Sequence, residues 1–272
     1  MDERTLFKQP SIVVPELRRG KEIADIMSEL YPLLPERISR HLVESNIVLT
    51  FAGLKPETFT NVHTSLTAEG MDVEITNAAI TANQLLEQSG TQFLDTPTLQ
   101  TNKGWRATLF TQSLLGLERM SRLSHIPGVK PFDGKSGFDG FDQWHAETRK
   151  AIIQAQQDGT IPAHYSISTI MQGIFFGYPD QATYDFADVI ANKKDVSKMS
   201  DSNIAFANTY QCAEPNFCFN PEHEDDPSIR TYIDEAGRIL KEFYESPFHQ
   251  RLLDDKAFLQ AREELDKPTK KG

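Results

Sequence analysis

Between Asp226 and Tyr244 the apolar side chains Ile229, Tyr232, Ile233, Ala236, Leu240 and Phe243 recur every three or four residues. Such a stripe occupies one face of an α-helix and must be buried against other elements, so the chain has to build a core broad enough to receive it. Asp226 is a suitable N-cap, and Pro227 suits a first turn whose N–H groups have no helical partner. At 272 residues the chain lies near the upper end of what one core supports, and its 39% apolar and 25% charged residues are those of an ordinary folded protein.

Other helices follow from the same spacing. Ile23, Ile26, Met27 and Leu30 define one that Pro32 closes, and Pro35 opens a short second one to about Glu44. Trp105, Leu109, Phe110, Leu114, Leu117, Met120 and Leu123 predict a long helix. Further helices are expected from Gln143 to Asp158, from Ser166 to Phe176 and after Pro179, with a shorter one from Pro247 to about Leu265. The continuous run Ile47 to Phe51 reads as a strand covered on both faces, with a helix from Pro56. Met71, Val73 and Ile75 alternate with polar residues, which predicts a second strand before a helix from Ile80 to Leu86.

The fold expected is therefore mixed α/β and helix-rich, with a small sheet in the N-terminal half and a mainly helical C-terminal half. An extended segment is expected near Phe206 to Phe219. The domain reading is a surface arm over 1–20, a mixed α/β lobe over 21–103, a mainly helical lobe over 104–265 sharing its core, and a mobile tail over 266–272. Gly90 to Lys103 is polar and turn-rich, as a boundary would be.

A formal charge of −11 and the lack of any long basic run argue against a nucleic-acid surface. No eighteen apolar residues run together, and Met1 to Thr5 carries no apolar h-region, which reads against a membrane span or a signal peptide. Two cysteines do not make a disulfide framework, and the simplest compartment is cytoplasmic.

Several clusters carry residue types suited to chemistry. Cys212, Cys218 and His223, beside Glu222, Glu224, Asp225 and Asp226, could supply thiolate, imidazole and carboxylate ligands to zinc. The C-x5-C spacing is wider than that of a zinc knuckle, and the opposing reading makes both cysteines small core residues among Phe206, Tyr210, Phe217 and Phe219. His145-Ala146-Glu147 resembles half of the zinc nucleobase deaminase signature, in which the histidine binds metal and the glutamate moves protons; the paired C-x-x-C half is missing. Residues two apart on a regular helix point about 200° from one another. His145 and Glu147 therefore converge only within a first turn.

His164 precedes Tyr165-Ser166, with Asp185 and Asp188 on a neighbouring expected helix; it is the third catalytic candidate, with no Gly-x-Ser-x-Gly elbow to support a nucleophile. The loop with Asp133, Asp139 and Asp142 lacks calcium-loop spacing and reads as a surface loop pinned by Phe132, Phe138 and Phe141. Gly53 stands without the glycine spacing of a phosphate-binding turn.

The sequence alone selects no function. One expectation is an enzyme or small-molecule-binding protein drawing on His145, Glu147, His164 and the Cys/His/acid stretch, with zinc as its candidate cofactor. The other is a noncatalytic interaction or regulatory protein with an acidic surface. A small molecule or a protein is the expected partner, not nucleic acid or membrane.

Overall fold

The computed structural model describes residues 14–94, 96, 98–102, 104–201 and 217–255. The expected tail, most of the expected arm and residues 202–216, Cys212 included, lie outside the described residues.

The protein is helix-rich mixed α/β, with a small antiparallel sheet in the N-terminal half and helices dominating the C-terminal half. The described elements run α1 (Gly20–Leu30), α2 (Glu36–Ser39), α3 (Ser45–Ala52), β1 (Glu57–Thr64), α4 (Ala68–Leu86), β2 (Thr91–Leu94), β3 (Leu99–Thr101), β4 (Gly104–Ser113) and α5 (Leu114–Leu123). They continue α6 (Phe141–Gln157), α7 (Ile167–Phe176), α8 (Asp180–Ala191), β5 (Ser200–Asp201), β6 (Cys218–Phe219), α9 (Pro227–Tyr244) and α10 (Pro247–Leu253). No described helix is long and apolar enough to cross a membrane.

Four local expectations are corrected. Ile47 to Phe51 is not a strand but the body of α3, where Ile47, Val48, Leu49 and Phe51 are all buried. A helix buried on every side has no polar face, so its sequence lacks the period that would distinguish it from a buried strand. It ends at Gly53, whose φ of +83° is a left-handed C-cap.

The segment after Pro56 is strand β1 rather than a helix; Thr58, Thr60, Val62 and Thr64 point into the core while Phe59 and His63 are exposed. Its inward threonines conceal the alternation from a reading based on hydrophobicity. Met71 to Ile75 belongs to α4, not to a strand: Met71, Ile75, Ala78, Ala79 and Ala82 are buried at helical spacing, and Val73 is 61% exposed. Thr67 caps this helix by accepting the Gly70 N–H.

Finally, the long helix expected from Trp105 divides into β4 and α5. Ala107, Leu109 and Thr111 are buried with a period of two, and the Ser113 hydroxyl then accepts the Gly116 N–H to cap α5. Strand β4 is the centre of the sheet: β1 and β2 flank it, β3 also pairs with it, and every pairing is antiparallel, with Phe59 opposite Phe110.

Two apolar clusters fill the interior. The larger joins α1, α3, the inner sheet face, α4, α9 and α10, with Met27, Phe51, Val62, Leu240 and Phe243 fully buried. The smaller joins α5 to α8 around Phe132, Trp144, Ile152 and Ile170. Where α5 and α8 of the second cluster approach α9 of the first, the surface opens into a cleft.

Candidate functional site

The turn from α7 to α8 forms one wall of the cleft. Gly177, at φ +67°, ends α7, and a Cβ there would lie 2.5 Å from Pro56 Cδ, so both its conformation and its close approach call for glycine. Tyr178 follows it, and Pro179 then sets Asp180 in the first turn of α8. The C-terminal part of α5 and the residues just after it contribute Arg119, Met120, Leu123, Ser124 and His125, and the N-cap and first half of α9 contribute Asp226, Thr231, Tyr232 and Glu235. The cleft is open to solvent and has a volume of about 650 Å³.

Three carboxylates line this cleft, and each has a different setting. Asp180 accepts the Ser124 hydroxyl at 2.9 Å and the His125 backbone N–H. Burial raises its pKa and nearby Asp226 adds to that, only partly offset by the two hydrogen bonds. Asp226 is the N-cap of α9: burial works against its charge, but the hydroxyl and N–H of Ser228 and the N–H of Ile229 outweigh it and hold the pKa below the usual range. Glu235 pairs with Arg119 at 2.6 Å, and Arg119 also donates to the Pro15 carbonyl at 2.9 Å, so that one guanidinium joins α5 to α9 and to Pro15.

Tyrosines supply much of the remaining wall. Burial, with Asp180 and Tyr165 adding to it, pushes the Tyr184 phenol up to about 12. Burial and the neighbouring Cys218 push Tyr178 to about 12. Tyr232 is 6% exposed and is raised well above the ordinary phenol value by burial, Tyr178 and Glu235. Its hydroxyl has no hydrogen-bond partner among the described residues. All three rings are neutral at physiological pH.

Behind Tyr178 lies Lys55, at 2% exposure. Its ammonium donates to Asn46 Oδ1 at 3.0 Å and stands 5.4 Å from the Tyr178 ring centroid. Burial lowers its pKa to about 7.

The candidates named from sequence occupy separate places. His145 stacks on Phe175 with centroids 4.8 Å apart, and burial followed by Arg149 lowers its pKa. Glu147 is exposed and accepts from Gln143 at 3.0 Å. Both lie beyond the first turn of α6, so they project in different directions. His164 is exposed against Tyr165 in the loop before α7.

Cys218 is in β6, where it pairs with Asp201. His223 has Nδ1 2.9 Å from Asp185, a buried carboxylate that also accepts the Asn220 N–H and the Gln181 amide at 2.8 Å. Gln181 Nε2 is also 3.1 Å from His223 Nδ1, but two donors cannot satisfy one another, and the carboxylate takes both. This network ties the turn before α9 to α8. Among the described residues no three His, Cys, Asp or Glu side chains converge as metal ligands.

Sequence reasoning passed over Lys55, Tyr178, Asp180, Tyr184 and Tyr232. The available signal was slight: a lysine between Leu54 and Pro56 at the end of an apolar run, and an acid immediately after Gly177-Tyr178-Pro179. Comparison with protein-family models, curated proteins and solved structures finds no match to this chain.

Proposed function

We propose that the protein binds a small organic molecule in the cleft between α5, the α7–α8 turn and α9, and that it does so in the cytosol. The observation that carries this reading is a cavity of about 650 Å³ in which three neutral tyrosines and a carboxyl with raised pKa converge. Its size falls within the roughly 300–1,000 Å³ usual for small-molecule sites, and apolar walls with a few fixed polar groups are what such sites use for affinity and orientation. Asp180 adds a group able to hold or release a proton against a bound ligand, a property that clusters at functional sites.

A ligand-observed NMR screen tests this. Leu123 is 47% exposed at the cleft, so Leu123→Trp fills the space without disturbing either core cluster. Hits on the wild type that are lost in a folded Leu123→Trp protein are the expected result. Hits that all persist in that variant, or no hits at all, would remove the cleft as the binding site.

A further inference from the structure

Resting on that small-molecule reading, we infer that the cleft selects an organic ammonium, a primary or quaternary amine carried on an apolar or aromatic body. Three carboxylates, Asp180, Asp226 and Glu235, line it against one guanidinium, Arg119, which Glu235 and the Pro15 carbonyl already engage. Asp180 receives its hydrogen bonds from neutral donors, a hydroxyl and a backbone N–H, and so retains capacity for a cation.

The walls point the same way. Tyr178, Tyr184 and Tyr232 line the cleft with neutral rings, and an aromatic face attracts a cation; the Tyr232 hydroxyl is more than nine-tenths buried with no partner among the described residues. An inorganic cation fits less well, because no three-donor group forms among the described residues and the rings offer no lone pairs for coordination.

Isothermal titration calorimetry on the full chain discriminates, using phenethylammonium, phenethyl alcohol and hydrocinnamate, which share a phenyl body and differ in head charge. The ammonium should bind about tenfold more tightly than the alcohol, as a ring face plus a partly desolvated carboxylate would give, and hydrocinnamate should bind most weakly. Asp226→Asn keeps a competent helix cap while removing one charge. It should weaken the ammonium by roughly threefold to tenfold and leave the alcohol unchanged. Tyr184→Leu should lose affinity for the ammonium more than for the alcohol.

Equal or tighter binding of the alcohol or hydrocinnamate, still abolished by Leu123→Trp, would overturn the cation inference and leave the small-molecule reading standing. Failure of all three probes at millimolar concentration, or binding indifferent to Leu123→Trp, would overturn both.

Discussion

Lys55 places its ammonium 5.4 Å from the centre of the Tyr178 ring while donating to the neutral Asn46 amide oxygen at 3.0 Å. An amide and a ring face compensate only part of the hydration lost in burial, and the amine is held at about 7 instead of 10.5. At 1.36 kcal/mol for each tenfold change in proton affinity, this is a penalty on the order of 5 kcal/mol when the amine is charged.

The unfolded chain binds a proton between pH 7 and 10.5 that the folded chain releases, so the contribution of Lys55 to stability rises with pH across that window. Lys55→Met removes the linkage and fills similar volume, and partly exposed Asn46 can turn to water. Urea denaturation at a series of pH values from neutral to about 9.5 should show the wild type gaining stability relative to the variant, with Lys55→Met the more stable near neutrality. Parallel curves would contradict the assignment.

The Asp226 cap offers a second test, because charge and capping separate there. Its carboxylate accepts the N–H of Ser228 at 2.8 Å and closes the first turn of the helix with the longest buried stripe in the larger core cluster. Asp226→Ala should cost about 1 kcal/mol in urea denaturation and Asp226→Asn only a few tenths. Equal losses in the two variants would mean that the charge, not the cap, is what α9 requires.

How much of this was legible depended on whether one face of an element stayed wet. Helix α9 could be placed to the residue, since Ile229 to Phe243 repeats on one side and Asp226-Pro227 marks its start. Helix α3 could not, because burial all around erases the period, and β1 hides its inward face behind threonines. Trp105 and Phe110 lie in β4, where their spacing matches a helix by chance across a strand–helix junction at Ser113. The cleft was less legible still. An acid in a first turn ordinarily reads as a partner for the helix dipole. Only the packing of Ser124 and His125 onto Asp180 makes it a half-buried carboxyl.

Gly116 tests how closely the backbone behind the cleft is packed. A Cβ added there would lie 2.3 Å from the Lys55 carbonyl oxygen and 2.9 Å from Pro56 N, backbone atoms that cannot rotate aside. Gly116→Ala should therefore destabilise by about 1–3 kcal/mol despite the better helix propensity of alanine. In Gly70→Ala, also in a first helical turn, the new carbon would meet nothing closer than the Thr67 hydroxyl at 3.4 Å. That substitution should be neutral or stabilising by up to ~1 kcal/mol. Similar losses at the two positions would show that α5 does not approach Lys55 this closely.

Asp180 couples the proposed ligand to protons. Its pKa is raised by burial and by Asp226, with the His125 N–H, the Ser124 hydroxyl and the His125 side chain acting the other way. A carboxyl whose folded pKa exceeds its unfolded one contributes stability that is complete below the unfolded value and lost as pH rises through the folded value. Asp180→Asn should accordingly flatten the stability profile across that acidic window. A bound ammonium favours the ionised carboxylate and lowers the pKa again, so binding within the window must release a proton. Calorimetry of phenethylammonium in two buffers of equal pH but different ionisation enthalpy should give different apparent heats, with the sign of proton release. Phenethyl alcohol should give equal heats, as should the ammonium with Asp180→Asn. Heats independent of buffer for the wild type and the ammonium would separate Asp180 from the ligand site.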